Sequence, residues 1–215
     1  LLVSSTWNFY YTFFFSFLIG FTLLSNVIYR NSKHHILSTL LFLSLAVAPF
    51  AGNMIPYKAY EIENGKNYHV SDRDPLEAEI YGLKIATLLF PVDDHRSNSM
   101  AEFKKSYQRG PLYNESNAAV LGVIGAIGFL ILIFIALFKS HVSKALFRLS
   151  QYNLAALLFS TVGGFGVIFA FLITPQIRGY NRISVFIAAM SFIAFALIVN
   201  RYISKWKYKK ISIIS

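Results

Sequence analysis

Apolar residues along this chain gather into five long runs, at residues 7–29, 36–55, 117–138, 153–174 and 183–200. Each is close to the ~20 residues that a helix needs to cross a hydrocarbon core of roughly 30 Å. The runs lack the alternation of a barrel strand, and in hydrocarbon only helices and closed barrels satisfy their own backbone. A soluble buried core is the alternative, but five such runs in 215 residues weigh against it. The pattern predicts an all-α fold: a helical transmembrane bundle of about five spans, with one extracytoplasmic loop region carrying an interfacial helix. Residues 1–56 then hold two spans, 57–116 the loop, and 117–215 three spans and a basic cytoplasmic tail.

Inside the loop the pattern predicts one helix. Asp74 suits a cap, Pro75 the first helical position, and Glu77 a capping box. Ile80, Leu83, Ala86 and Thr87 recur at helical spacing, Leu88, Leu89 and Phe90 widen the stripe, and Pro91 ends it. About 16 residues is short for a span and suits an interfacial or re-entrant helix on the outer face of the bundle. Glu79 and Lys84 flank its apolar stripe.

The spans carry small residues: Gly122, Gly125 and Gly128 in the third, Ser160, Thr161, Gly163, Gly164 and Gly166 in the fourth. Close helix packing is the plainer reading, a hinge or substrate groove the other. Pro49 and Asn53 predict a kink near the outer end of the second span. No Asp, Glu, Lys or Arg lies at the middle of a span, which argues against an ion or proton pathway, and the spans show little of a transporter's broken-helix pattern.

Charge fixes the orientation. All ten acids lie between Glu61 and Glu115, where the loop 57–116 sets eight Lys and Arg against them. The remainder holds twelve Lys and Arg and no acid, so the formal charge of +10 belongs to the membrane edges rather than to a nucleic-acid surface. Ten of those twelve, from Arg30 and Lys33 through Lys139, Lys144 and Arg148 to Arg201 and the Lys-rich tail, fall on one side. By the positive-inside rule that side is cytoplasmic, and the tail attracts anionic lipid. The expected location is the cell membrane, multi-pass, with the loop outside and the C-terminus in the cytoplasm. A start at Leu1, Leu2 and Val3 without Met predicts a piece of a longer protein. With no Cys, disulfides and thiolate metal sites are excluded.

Three groups of residues are candidates for chemistry. Asp93, Asp94, His95 and Arg96 set two carboxylates beside an imidazole, an arrangement able to bind a divalent cation or to act as acid and base, and equally an inert acidic turn. His69 is open to the same two readings, with a solvated or hydrogen-bonded loop histidine the plainer one, and the Asn114 sequon sits so near the third span that it would be poorly reached. The short outer connection carries Arg178 and Arg182, four apart and on one face if helical. Paired guanidiniums clamp phosphate, at this surface a lipid headgroup or a polyprenyl-phosphate carrier. The competing expectation is a structural network in which they pair with Asp72, Glu77 or Glu79 beside Arg73 and Lys84.

With those residues in view, the chain resembles the C-terminal part of bacterial polytopic membrane proteins of the GT-C glycosyltransferase superfamily, including YfhO-like sugar-transfer proteins. The resemblance runs over roughly residues 57–200. It rests on Gly65 to Asn67, on Arg73 to Lys84, on Leu88 to Pro91 with His95 and Arg96, and on Val162, Gly163, Gly164 and Gly166 followed by Ile177, Arg178 and Asn181 to Ser184. Asp93 and Asp94 depart from it, standing where a small or Gly-containing turn is expected. It implies transfer of a sugar from a polyprenyl-phosphate donor to a cell-envelope acceptor, with Arg178, Arg182, His95 and Arg96 as donor-phosphate contacts. The family's acidic catalytic residue lies in a first outer loop and is not carried onto Asp93 or Asp94, so the catalytic residue is unknown; no cofactor is fixed, and a divalent cation at the acidic turn is the one candidate. The rival is a non-enzymatic membrane protein: a polysaccharide or lipid translocation component, or a structural subunit.

Overall fold

A computed structural model describes residues 9–65, 73–110, 119–138 and 142–214, without the side chains of residues 50, 53, 54, 57 and 205–214. The fold is all-helical, and among the described residues the only extended pairing is one isolated bridge. In chain order come α1 (Phe9–Ile28), α2 (Lys33–Asn64), α3 (Glu77–Ile80), α4 (Ile85–Leu89), α5 (Asn98–Gln108), α6 (Gly122–Phe138), α7 (Lys144–Ser160) and α8 (Phe165–Leu172). A 3-10 turn (Tyr180–Ile183) leads into α9 (Ser184–Ile214). Among the described residues, two stretches, Phe9–Ile28 and Tyr180–Ser204, are long and apolar enough to cross a membrane.

Helix α6 packs chiefly on α9 and secondarily on α7, while α1 joins α2 to the rest. The α6–α9 seam is closed by Gly128, where a Cβ would intrude on the Ser191 carbonyl. Of the third run's small residues, Gly128 lets two helix backbones touch and Gly125 packs against the Phe192 ring, while a Cβ on Gly122 would meet nothing. The core gathers Phe14, Phe129, Leu132, Phe159, Ile183 and Ile187 from five segments of chain.

The second apolar run differs from its expected limits. Helix α2 continues through Pro49 and Pro56 to Asn64, nine residues past the expected end at 55. At 32 residues it is roughly 48 Å long. The side chain of Asn53 lies outside the described residues.

The fourth run is not one helix. Helix α7 stops at Ser160, and the chain turns through Thr161 to Gly164 before α8 begins. Gly163 takes a left-handed φ of 74°, a conformation that side chains with a Cβ resist. A helix broken among apolar neighbours leaves backbone groups that need partners. They come from the loop: Leu83 donates its N–H to the Ser160 carbonyl at 2.8 Å, and Val162 donates to the Leu83 carbonyl at 3.2 Å. Loop residues Leu83, Thr87 and Leu88 are accordingly buried.

This insertion corrects the expected interfacial helix. The stretch expected to form it is split into α3 and α4, with an extended segment at Tyr81 to Lys84 between them. It is wedged between helix ends rather than laid on the bundle's outer face. Asn181 donates to the Tyr81 carbonyl at 3.2 Å and Leu121 to the Leu88 carbonyl at 3.1 Å. The starts of α6 and α9 and the end of α7 therefore all meet one inserted segment. That end of the molecule is the cap. At the opposite end, the base, α1 finishes beside the first half of α7, where Thr22 Oγ1 and Tyr152 OH lie 2.9 Å apart.

Candidate functional site

Among the described residues, the cap sets two guanidinium groups, of Arg73 and Arg178, against the Glu77 carboxylate, with the Arg182 guanidinium over Tyr10. Asp74 accepts the Leu76 N–H at 2.9 Å and starts the turn that leads into α3. That helix carries Glu77, whose side chain makes no capping box. Its Oε2 instead faces Arg73 Nη1 at 3.5 Å and Arg178 Nη1 at 3.4 Å. Arg178 also lies over the Tyr81 ring, 4.9 Å from its centroid, and Arg182 lies over Tyr10 at 4.1 Å. Glu79 points elsewhere, its Oε2 accepting the Gly163 N–H at 2.7 Å, which holds the broken turn after α7.

Arg178 precedes the 3-10 turn and Arg182 lies within it, so the two do not share a helical face as their spacing allowed. Both nevertheless reach the same patch. A Cβ on Gly179 would stand 3.3 Å from Arg182 Nε and 3.4 Å from Tyr10 Cε1, so Arg182 and Tyr10 pack directly on the connection. Desolvation lowers the Arg178 pKa, but the hydrogen bond and charge of Glu77 outweigh it and leave the guanidinium above its ordinary value. Burial pulls the Lys84 ammonium below its ordinary value.

His95 and Arg96 belong to a separate corner. His95 Nδ1 accepts the Ser97 N–H at 3.1 Å at the start of α5, a helix that the apolar pattern left unassigned. Asp93 Oδ1 accepts from Gln108 at 2.6 Å and lies 3.6 Å from Lys104 Nζ. Lys104 is fully buried and donates to the Pro91 carbonyl at 3.2 Å, while Phe90 meets the rings of Phe103 and Tyr107 edge-on. Asp93 is thus a structural acid that anchors α5. Among the described residues, no hydrogen bond, ion pair or ring contact joins His95 or Arg96 to Arg178 or Arg182, so the four expected phosphate contacts fall into two places.

Of the expected loop network, Arg73 and Glu77 come together with Arg178, Glu79 grips a backbone turn, and Lys84 precedes α4. Asp72, His69 and the Asn114 sequon lie outside the described residues. Among the described residues, no three His, Asp or Glu side chains assemble as metal ligands. Tyr10 and Tyr81, the aromatic seats of the two arginines, escaped the sequence reading because aromatic residues at the edge of an apolar run look like core.

No family model, curated protein or solved structure matches this chain.

Proposed function

We propose that this chain is part of a multi-pass membrane protein, akin to the GT-C glycosyltransferases, whose cap holds the phosphate of a polyprenyl-phosphate sugar donor for transfer to a cell-envelope acceptor. The observation that carries this reading is the excess of cationic charge in the patch. Among the described residues, Glu77 is the carboxylate paired with Arg73 and Arg178, and Arg182, over Tyr10, adds a third cation to the patch. Arg182 is exposed, so a phosphate oxygen has access to its guanidinium. Stacking on Tyr10 orients that guanidinium, and a planar fork held in place suits a tetrahedral anion. A phosphate arriving here competes with Glu77 for Arg178 and takes Arg182 outright. Proton abstraction from the acceptor is assigned to no residue of this cap.

Membrane residence is supported by the apolar side chains that the bundle leaves outside. Leu41 and Phe42 on α2, Phe134 and Leu137 on α6, and Ile193 on α9 are exposed. Scattered exposure is normal in soluble proteins, but contiguous apolar faces on several helices are not. In this reading α1, α2, α6, α7 and α9 are the five crossings, the cap is extracytoplasmic and the base faces the cytoplasm.

A second reading has its own observation. Arg178 already bonds Glu77 and both arginines sit on tyrosine rings, which fits a purely structural cap in a non-enzymatic membrane protein. Arg182→Ala separates the two. With the purified chain in lipid nanodiscs and farnesyl phosphate as probe, the proposal expects binding about ten- to a hundredfold weaker, the worth of one charged hydrogen bond. Unchanged binding by a variant with an unaltered melting temperature would leave the structural cap standing.

A further inference from the structure

The base of the bundle holds a cavity of about 270 Å³ between α1 and α7. Ser25 and Asn26 from α1 and Asn31 from the following turn line one wall; Lys144, Arg148 and Gln151 from α7 line the other. Lys144 and Arg148 are four apart on one helix, so both present their charge to the same opening. The inner end is closed by the Thr22–Tyr152 hydrogen bond and by Phe21, edge-on to Tyr152 at 5.5 Å. The outer wall is itself ordered: Asn31 Nδ2 donates to Asn26 Oδ1 at 2.8 Å, and Asn26 Nδ2 to Thr39 Oγ1 at 3.1 Å.

What separates this cavity from the cap is its charge balance. Among the described residues no carboxylate pairs with Lys144 or Arg148, and the sequence has no acid outside residues 61–115. Two cations side by side with no neutralising partner repel each other, a cost that a bound anion removes. Below them the wall turns aromatic, so polarity falls with depth. A phosphoester with an organic substituent matches both halves of that gradient, its charge among the polar groups and its carbon part against Phe21 and Phe147.

From this we infer that the α1–α7 cavity is an anion site for a phosphate mono- or diester, either the headgroup of an anionic phospholipid or a free glycerophosphate-like compound. It is distinct from the cap and from the basic tail. The lipid source relies on the membrane reading given above; the anion site itself does not.

The test uses the purified full chain in neutral detergent. Phosphatidylglycerol binding is followed by native mass spectrometry, with phosphatidylcholine as the uncharged reference and sn-glycerol 3-phosphate as the soluble probe. Lys144→Gln with Arg148→Gln is expected to weaken phosphatidylglycerol binding about thirtyfold, two basic residues' worth at a membrane surface. Ser25→Phe fills the cavity while keeping both charges and is expected to weaken binding as well; it decides alone if the double variant does not fold. Arg182→Ala should leave this binding intact, which keeps the result apart from the fate of the cap. Preferential binding of phosphatidylglycerol assigns the lipid source, and equally tight, competitive binding of glycerol phosphate assigns the free one. Phosphatidylglycerol and glycerol phosphate binding that survives in Ser25→Phe, with its melting temperature unchanged, overturns the site.

Discussion

Both ends of this bundle carry clustered arginine or lysine, but the two clusters are built differently. At the cap, Arg178 bonds Glu77 and stacks on Tyr81, Arg73 shares the same carboxylate, and Arg182 stacks on Tyr10. At the base, Lys144 and Arg148 line a cavity and no described carboxylate pairs with either. A basic residue with a carboxylate partner spends much of its charge within the molecule. One without a partner keeps its field for a ligand or a lipid surface. On the proposed readings, the base is the more open anion site, and the cap is one in which an incoming phosphate competes with Glu77 for Arg178.

The harshest test of this comparison leaves both ends alone and attacks what holds them apart. Gly128→Leu drives a side chain into the Ser191 backbone. Overpacking of a well-packed seam costs about 1–3 kcal/mol and more where backbone is struck. Loss of the folded species in size-exclusion chromatography is expected, whereas a chain that elutes and melts like wild type would show that the α6–α9 seam is not the scaffold.

Gly163→Ala acts closer to the cap. Its left-handed φ should cost about 1–2 kcal/mol, and the strain falls where Glu79 and Leu83 hold the broken turn. A fall in melting temperature, followed by tryptophan fluorescence, is expected, with base-cavity binding retained.

Glu77→Gln sharpens the contrast itself. Without its carboxylate the cap comes to resemble the base, so farnesyl phosphate binding should tighten by about threefold, the range of one partly exposed ion pair. Weaker binding would mean that Glu77 orients the arginines more than it competes for them.

The mildest change is Tyr180→Phe. The Tyr180 hydroxyl is buried beside Phe14 and Phe159 and has no hydrogen-bond partner among the described residues. Removing it forfeits no bond, so stability should move by less than about 0.5 kcal/mol in either direction. A large loss would reveal a partner for that hydroxyl in the cap's interior.

Much of this architecture was legible in the sequence because apolar periodicity and charge segregation are local properties. Four of the five apolar runs reappear in α1, α2, α6 and α9, and the position of the acids marks the cap. The break in the fourth run was hidden because Gly163 and Gly164 inside an apolar stretch read equally well as packing residues. What breaks the helix is Leu83, about eighty residues earlier, offering strand-like partners to Ser160 and Val162. The split between α3 and α4 has the same cause and was invisible for the same reason. Arg178 and Arg182 stood out as cations on an outer connection, yet nothing local announced that Tyr10 and Tyr81 would seat them. Helix α5 did leave a signal: Ser97 precedes it, and Met100, Phe103 and Tyr107 recur at helical spacing. The base cavity needed the adjacency of α1 and α7, which no short-range pattern encodes.

The roles proposed for the cap at an outer surface and for a lipid headgroup at the base depend on the two ends lying on opposite faces of a membrane, and sidedness is directly measurable. The natural chain has no cysteine, so single substitutions report without background. Ser99→Cys on α5 and Ser32→Cys at the α1–α2 turn are both at exposed positions. A membrane-impermeant maleimide applied to intact cells should label Ser99→Cys at once and Ser32→Cys only after permeabilisation. Labelling of Ser32→Cys from outside, with Ser99→Cys protected, would contradict the account.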